Sequence, residues 1–326
     1  MSTIITGSVA YDNIMKFPGY FKDQILPDKL EVLNLSFLVD TLVRRRGGVA
    51  ANIAYTMALL GAPPAIFTSV GQNDWADYLE WMRKHGIDTR YIEVVPDEWT
   101  ATCFINSDLA NSQITSFYTG AMSNDKKLSL HSIPRGELDL VVIGPTEPEP
   151  IVRFTQECQE MGVPYIYSPI WQLIRMSPDD IANGVRGAKI VVANDYELGL
   201  IKDKTGLGAE EILVSAEMVV TTKGKDGSII LTHTGEIVVP AALPSRIVDT
   251  VGAGDAYLGG LVFGLQAGLP PEAAGRVASL AAVYAVENEG TQSHQYTRDE
   301  FAIRYRENFG EEPRLAELLN PAVVEI

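Results

Sequence analysis

Val248-Asp-Thr-Val-Gly-Ala-Gly-Asp-Ala256 is the stretch of sequence that decides the fold, because it predicts a glycine-rich turn running directly into a helix. Apolar residues then recur at the i, i+3, i+4, i+7 spacing of a buried helical face. They are Leu258, Leu261, Val262 and Leu265. Gly268 and the proline pair at 270–271 predict where the helix ends. We expect the rest of the chain to be arranged around this helix.

The first turn of this helix predicts an anion site. N–H groups at a helix start have no partner inside the helix, and the positive end of the macrodipole lies behind them. Gly252 and Gly254 carry no side chain that would keep a phosphate away. Asp255 could accept a proton from an attacking hydroxyl at the same point. Taken alone, it could equally be an ordinary acidic residue of a first helical turn.

The string Asp249-Thr-Val-Gly-Ala-Gly-Asp255 resembles the signature of the ribokinase-like (phosphofructokinase B) family of small-molecule kinases. A dinucleotide fingerprint would need a third glycine, and no G-x-x-x-x-G-K-[ST] motif occurs in the chain. The resemblance implies an α/β three-layer sandwich with a mostly parallel central sheet and a small β-strand lid. It also implies Asp255 as general base, beside an anion hole formed by Gly252, Ala253 and Gly254.

Composition limits the classes of partner. A chain of 326 residues with 46% hydrophobic content can bury a large core. Its net charge of -16 argues against nucleic acid or an anionic membrane as partner. The only basic run, Arg44-Arg45-Arg46, is best interpreted as charges along an exposed strand edge. With two widely spaced cysteines, no signal-peptide pattern and no long apolar run, we expect a cytoplasmic protein.

Alternating β and α patterns predict two structural parts. Apolar runs such as Leu140-Val-Val-Ile and Ile190-Val-Val-Ala are typical of a parallel sheet covered on both faces. Two segments interrupt this alternation and predict the strands of a lid, the first of them through Val32, Leu33, Leu35, Phe37 and Leu38. We therefore assign residues 1–12, 46–95 and 122–326 to an α/β core with the ATP and catalytic site, and residues 13–45 and 96–121 to a lid over the acceptor site.

Two stretches are candidates for binding the acceptor sugar. Ser8 and Asp12 lie around the end of the first predicted strand, Thr3 to Ala10, where ligands bind in open α/β sheets. A carboxylate such as Asp12 can accept two hydrogen bonds from neighbouring hydroxyls, although a plain turn aspartate is the alternative. Gly47-Gly-Val-Ala-Ala-Asn52 matches the first signature of the family, which implies sugar contacts for Gly48 and Asn52.

Within the family, Phe17-Pro-Gly and Leu35-Ser-Phe-Leu-Val-Asp40 closely resemble bacterial-type adenosine kinases. This resemblance implies that Ser36 reaches the nucleoside site and that Phe117 packs on the base, with a buried core phenylalanine as the alternative. It also implies polar contacts from Gln172 to the base. Trp171 departs from the adenosine-kinase pattern, and an indole stacked there leaves base selectivity open.

The nucleotide side rests on two short elements. Asn194-Asp-Tyr-Glu197 resembles the Asn-x-x-Glu element of the family. The resemblance implies that Glu197 acts on Mg²⁺, if needed through a water. Taken by itself, Glu197 could also be an ordinary acidic residue at a helix start. Thr222-Lys-Gly224 resembles its nucleotide-binding Thr-x-Gly, so Asn194, Thr222 and Gly224 are assigned to ATP. The resemblance also implies a monovalent cation such as K⁺ near the first signature residue, with Asp249 as its candidate ligand through neighbouring backbone.

The predicted reaction is transfer of the γ-phosphoryl group of ATP, with Mg²⁺, to the 5'-hydroxyl of a nucleoside. Adenosine, converted to AMP in purine salvage, is the leading acceptor. The alternatives are a kinase for several nucleosides, a kinase for a sugar such as ribose or fructose, and a non-catalytic nucleoside sensor. A homodimer would fit the family, and the sequence itself does not decide the oligomeric state.

Overall fold

The computed structural model describes residues 2–25, 34–110 and 112–319 of the chain. The strands β1 to β13 span Thr3–Thr6, Ala10–Lys16, Thr41–Gly47, Ala65–Gly71, Ile92–Val95, Ala101–Ser107, Gln113–Tyr118, Leu140–Ile143, Tyr165–Tyr167, Ile190–Asn194, Met218–Thr222, Ser228–Thr232 and Gly235–Val239. The helices α1 to α11 span Phe21–Gln24, Val49–Leu59, Ala76–Lys84, Pro148–Met161, Pro178–Gly187, Asp195–Thr205, Ala209–Leu213, Ala253–Gln266, Pro271–Val286, Arg298–Phe309 and Pro313–Leu319. These strands form one sheet of nine and one of four.

The large sheet has the order β13-β12-β11-β10-β9-β8-β1-β4-β5. Neighbouring strands from β11 to β5 pair in parallel, and β12 and β13 extend the sheet as antiparallel strands. The mostly parallel sheet predicted from the sequence is therefore confirmed. Because parallel strands end at one edge, β1, β10 and β11 deliver the residues that follow them to the same side of the molecule.

Helices cover both faces of this sheet, since adjacent strand residues point to opposite sides. Ile5 and Val142 belong to a core with α2, α8 and α9, whereas their neighbours Ile4 and Val141 belong to a core with α4 and α5. The near-continuous apolar strands therefore serve two hydrophobic layers at once, which confirms the three-layer architecture.

The central helix, α8, is packed between α2 and α9 at backbone contact distance. A Cβ atom added to Gly259 would lie 2.8 Å from the carbonyl oxygen of Ile53 in α2. One added to Gly260 would lie 2.8 Å from the Cα atom of Ala278 in α9. The glycines behind the signature thus permit this close packing. No helix in the described parts of the chain is long and apolar enough to cross a membrane.

The four-stranded sheet, which we call the lid sheet, has the order β3-β2-β6-β7. Its edge strand β3 carries Arg44, Arg45 and Arg46, in agreement with the interpretation of the basic run as edge charges. Arg46 forms an ion pair of 3.2 Å with Asp77 of α3. The guanidinium of Arg44 lies 3.6 Å from the centroid of the Tyr11 ring. These contacts attach the lid sheet to the core.

The first predicted strand is shorter than expected. It ends at Thr6, because Gly7 adopts a φ of 127° and turns the chain, and the N–H of Ser8 then donates to the carbonyl of Pro145 at 3.0 Å. The chain resumes as β2 of the lid sheet at Ala10. Asp12 therefore lies on a lid strand and not in a turn after a core strand.

The apolar residues before β3 also differ from the expectation. Val32 and Leu33 lie outside the described residues, and residues 34–39, which include Leu35, Phe37 and Leu38, have no regular secondary structure. Phe37 instead packs against Phe17 and Phe21, with ring centroids 5.1 and 5.0 Å away. The apolar pattern that predicts a strand here instead belongs to a local aromatic cluster.

Candidate active site

The turn before α8 has the geometry of an anion site. Gly252 caps the helix with a φ of 80°, and a Cβ atom there would lie 2.6 Å from Cγ2 of Thr291. A Cβ atom on Gly254 would meet nothing within 4 Å, so the space over this residue is open. The N–H of Ala253, part of the predicted anion hole, already donates to the carbonyl of Thr250 at 3.4 Å, whereas among the described residues no acceptor takes the N–H groups of Gly254 or Asp255. Open space and free donors at a helix start suit a phosphate.

Asp255 lies in the first turn of α8, and its Oδ2 accepts a hydrogen bond of 2.8 Å from Nδ2 of Asn52 in α2. Burial raises the pKa of Asp255 to about 7. The hydrogen bond from Asn52 acts in the opposite direction, and the charges of Asp12 and Glu197 raise the pKa further. A carboxyl group that titrates near neutral pH is matched to general base catalysis.

Asp12 lies in a row of four residues across the lid sheet. Arg45, Asp12, Cys103 and Phe117 face one another in register on β3, β2, β6 and β7, so their side chains share one face of the sheet. At a strand spacing of about 4.8 Å, Asp12 and Phe117 lie on the order of 10 Å apart. Burial, with the charge of Asp249, raises the pKa of Asp12 to about 6.

Phe117 faces a second aromatic side chain from the core. The rings of Phe117 and Trp171 meet edge to face, with centroids 5.9 Å apart and planes at 65°. Both side chains are partly open to solvent, at 40% and 39% exposure. The residue before Trp171, Ile170, has a φ of 51°, which is rare for a β-branched residue and is typical of backbone held in place at functional sites.

Two other residues predicted to contact the base are placed differently. Gln172 is fully buried, and its Oε1 lies 3.4 Å from Nη1 of Arg175. Ser36 is exposed in the segment that precedes β3, and in the described structure it makes no hydrogen bond to another predicted site residue. The aromatic pair is therefore the part of the predicted base site that the structure assembles.

Ser8 and Gly48 join the start of the lid to the start of α2. The Oγ of Ser8 accepts from the N–H of Val49 at 3.0 Å, and its carbonyl accepts from the N–H of Ala50 at 3.0 Å. Gly48 has a φ of 93°, and a Cβ atom there would lie 2.6 Å from the nitrogen of Ala10. This crossing directs α2 so that Asn52 meets Asp255.

The nucleotide elements lie at the carboxyl ends of β10 and β11, where Asn194 and Thr222 are register partners. Oδ1 of Asn194 accepts from the N–H of Glu197 at 2.8 Å, and Oε2 of Glu197 accepts from the N–H of Asn194 at 2.9 Å. Burial raises the pKa of Glu197. Gly224 has a φ of 56° and open space around its Cα. The capping box thus orients Glu197, and no described residue forms a hydrogen bond to its Oε1.

The acidic residues of the site suit a hydrated cation better than a closed metal centre. The described residues contain no group of three or more His, Cys, Asp or Glu side chains able to hold a metal. However, the charge of Glu197 raises the pKa of Asp255, an effect that a nearby cation would relieve. Such a pattern fits Mg²⁺, which keeps several waters and binds substrate phosphates.

Asp249 joins the turn before α8 to a later loop. Its Oδ1 accepts from the N–H of Val251 at 3.0 Å and its Oδ2 from the N–H of Gly290 at 3.1 Å. Beyond Gly290, the side chain of Gln292 donates to Oδ1 of Asn52 at 2.9 Å. Sequence reasoning missed Gln292, since a single polar residue in a loop follows no periodic pattern and matches no motif.

Comparison with known proteins agrees with this geometry. The family model of pfkB family carbohydrate kinases matches residues 11–298 of the chain. A nucleoside kinase of Methanothermobacter thermautotrophicus is 28% identical over 288 residues, which cover 88% of this chain and 93% of that protein. The structure of Burkholderia thailandensis nucleoside kinase in complex with inosine is 35% identical, with a TM-score of 0.87, over 96% of this chain and all of that one. The same kinase in complex with ADP-inosine gives a TM-score of 0.84 at 36% identity, over 96% of this chain and 97% of that one.

Proposed function

The chain belongs to the pfkB family of carbohydrate kinases, and from this premise we propose that it is an ATP-dependent nucleoside kinase acting on the 5'-hydroxyl. The observation that carries the proposal is the row from Asp12 through Cys103 to Phe117 on one face of the lid sheet. Strand spacing separates the backbones of Asp12 and Phe117 by about 10 Å, which leaves room on this face for a sugar joined to a base. A single sugar ring would leave the exposed parts of Phe117 and Trp171 uncovered.

We propose purine nucleosides as acceptors, with adenosine first and inosine beside it. The nucleoside kinases to which this chain is similar support a nucleoside, and one of them binds inosine. Phe117 and Trp171 offer ring contacts, and aromatic contacts tolerate different bases because every base has a π face. This argues for an enzyme that accepts several bases.

In the proposed reaction, Asp255 accepts the proton of the 5'-hydroxyl as that oxygen attacks the γ-phosphorus of ATP in line. The free N–H groups of Gly254 and Asp255 donate to the equatorial phosphate oxygens, where negative charge develops. Mg²⁺ bound with ATP supplies charge neutralisation, and Glu197 would hold it through water. Asp12 would accept hydrogen bonds from the sugar hydroxyls, and the lid sheet would exclude water that could otherwise hydrolyse ATP.

The test is ADP release from Mg²⁺-ATP with adenosine, inosine, guanosine, cytidine, ribose and fructose, each with and without K⁺. We expect the purine nucleosides to give the highest kcat/KM, and Asp255→Asn to be the matched inactive control. Faster turnover of ribose or fructose would contradict the proposal and favour a sugar kinase. Nucleoside binding without ADP release would indicate a sensor.

A further inference from the structure

Asp255 is connected to a buried chain of hydrogen bonds that ends outside the proposed substrate pocket. Its partner Asn52 is 5% exposed, and the partner of Asn52, Gln292, is 7% exposed. Nε2 of Gln292 donates to Oδ1 of Asn52 at 2.9 Å, and Nδ2 of Asn52 donates to Oδ2 of Asp255 at 2.8 Å. The chain therefore runs from the loop after α9 through α2 to the first turn of α8.

Two fixed groups determine which way the amide of Gln292 points. Nε1 of Trp81 lies 3.2 Å from one end of the amide, and an indole N–H can only donate, so Oε1 must be at that end. At the other end, the hydroxyl of Tyr78 gives its proton to the carbonyl of Gly47 at 2.7 Å. It can therefore only accept from Gln292, at 2.6 Å, so Nε2 must be at that end.

The orientation of Gln292 in turn determines that of Asn52. Since Nε2 of Gln292 presents a proton, Asn52 must turn Oδ1 toward it. Nδ2 of Asn52 is then left to face Asp255 as a donor. In the opposite orientation, Oδ1 of Asn52 would face the carboxylate, and two acceptors would meet without a proton between them.

We propose that Gln292 is a positioning residue which, by orienting the amide of Asn52, keeps Asp255 ionised as the acceptor of the substrate proton. The inference rests on the proposed kinase function for its catalytic meaning. Among the described residues, the side chain of Gln292 forms hydrogen bonds with Trp81, Tyr78 and Asn52 and none with Asp255, so it acts through Asn52.

The other groups around Asp255 make this orientation important. Asp12 of β2 and Glu197 at the start of α6 are both acidic, and their charges raise the pKa of Asp255, as burial does. The hydrogen bond from Asn52 is what lowers it. A reversed amide at Asn52 would remove this favourable contact and add an unfavourable one, so the protonated form of Asp255 would be favoured over the carboxylate.

Gln292→Glu keeps the shape and reverses the polarity of the contact with Asn52. Because its added negative charge also raises the pKa of Asp255 through space, an uncharged variant is measured beside it. A carboxylate accepts from Trp81 and needs a donor from Asn52, which must then turn Oδ1 toward Asp255. We expect the acidic limb of the pH profile of kcat/KM to move up by about one unit or more, because that limb reports the base of the free enzyme. At pH 7, kcat/KM should fall about fivefold for a shift of one unit from a pKa of about 7, and it should recover as the pH rises.

Two further variants distinguish positioning from loss of stability. Gln292→Met keeps the length of the side chain, adds no charge and removes the donor to Asn52, so it should move the limb in the same direction by a smaller amount. Thr56→Val alters another buried polar residue of α2, whose hydroxyl has no partner among the described residues, and should leave the limb in place. An unmoved limb in a folded Gln292→Met protein would overturn the proposal. Should that protein not fold, an unmoved limb in Gln292→Glu would do so.

A titration that needs no turnover separates this inference from the proposed function. In protein with ¹³C-labelled aspartate carboxyls, the resonance of Asp255 can be assigned by its loss in Asp255→Asn. Its pKa should be higher in Gln292→Met than in the wild type, and equal values would overturn the inference. If the wild type phosphorylates no nucleoside but the pKa moves as expected, the kinase function fails while the positioning role of Gln292 holds.

Discussion

Exchanging the two signature glycines for alanine, one at a time, should change the stability of the protein in opposite directions. Gly252→Ala should destabilise the protein, because the φ of 80° costs about 1–2 kcal/mol for a residue with a side chain. The new methyl group would also lie 2.6 Å from Cγ2 of Thr291, and such overpacking costs about 1–3 kcal/mol. Together these give a loss of about 2–5 kcal/mol in the free energy of unfolding.

Gly254→Ala should instead stabilise the protein. Gly254 lies within α8, and the added methyl group meets no atom within 4 Å, so alanine gains about 0.5–1 kcal/mol from its smaller loss of backbone entropy. The same methyl group would occupy the space assigned to the phosphate. We expect kcat to fall by about 100-fold or more, as when a donor to a developing charge is lost.

Urea denaturation and ADP release on the same protein preparations measure both effects. Each variant serves as the control for the other, since each adds one methyl group and the two positions are two residues apart. Full turnover in Gly254→Ala would refute the assignment of the open space above this residue to phosphate. An unfolding free energy of Gly252→Ala equal to that of the wild type would refute the reasoning from the left-handed cap.

Three further predictions concern the acceptor and the base. Asp255→Asn should lower kcat by about 10²–10⁴-fold with nucleoside affinity retained, as calorimetric titration can measure, and a variant with near wild-type turnover would remove Asp255 from catalysis. In the wild type, kcat/KM should rise with pH through about 7 as Asp255 loses its proton, which pH-dependent kinetics check. Asp12→Ala should raise the KM for the nucleoside about 10-fold to 100-fold, the value of hydrogen bonds to a charged group, and an unchanged KM would remove Asp12 from the sugar site. Phe117→Ala should weaken nucleoside binding by about 1–3 kcal/mol without changing the response to ribose, and equal losses for both would contradict a base contact.

The parts of the fold that depend on local pattern were predictable. The glycine-rich turn, the helix behind it and the apolar parallel strands each carry a signal within a short window, and the structure confirms the α/β sandwich they imply. The segment before β3 was not predictable from its pattern, because the same apolar residues can form either a strand or a local cluster. In the structure Phe37 packs in a cluster with Phe17 and Phe21.

The candidate site also contains residues that a local motif identifies and residues that only the folded chain brings together. The signature residues were identified from motifs, and the structure brings Asn52 and Asp255 to 2.8 Å from each other. Gln292 escaped notice because its role depends on a contact with Asn52, 240 positions earlier in the chain. No sequence window contains both residues, so only the folded chain relates them.

The lid sheet is built from two excursions of the chain, each closed at its base. The first leaves the core after Ser8 and returns at Val49, where the Oγ of Ser8 accepts from the N–H of Val49 at 3.0 Å. The second leaves after Trp99 and returns at Ala121, whose N–H donates to the carbonyl of Trp99 at 2.9 Å. The ends of each excursion thus meet at the core. Exchanging one excursion for another would therefore change the surface that faces the acceptor, while α8 and its glycines would keep their places.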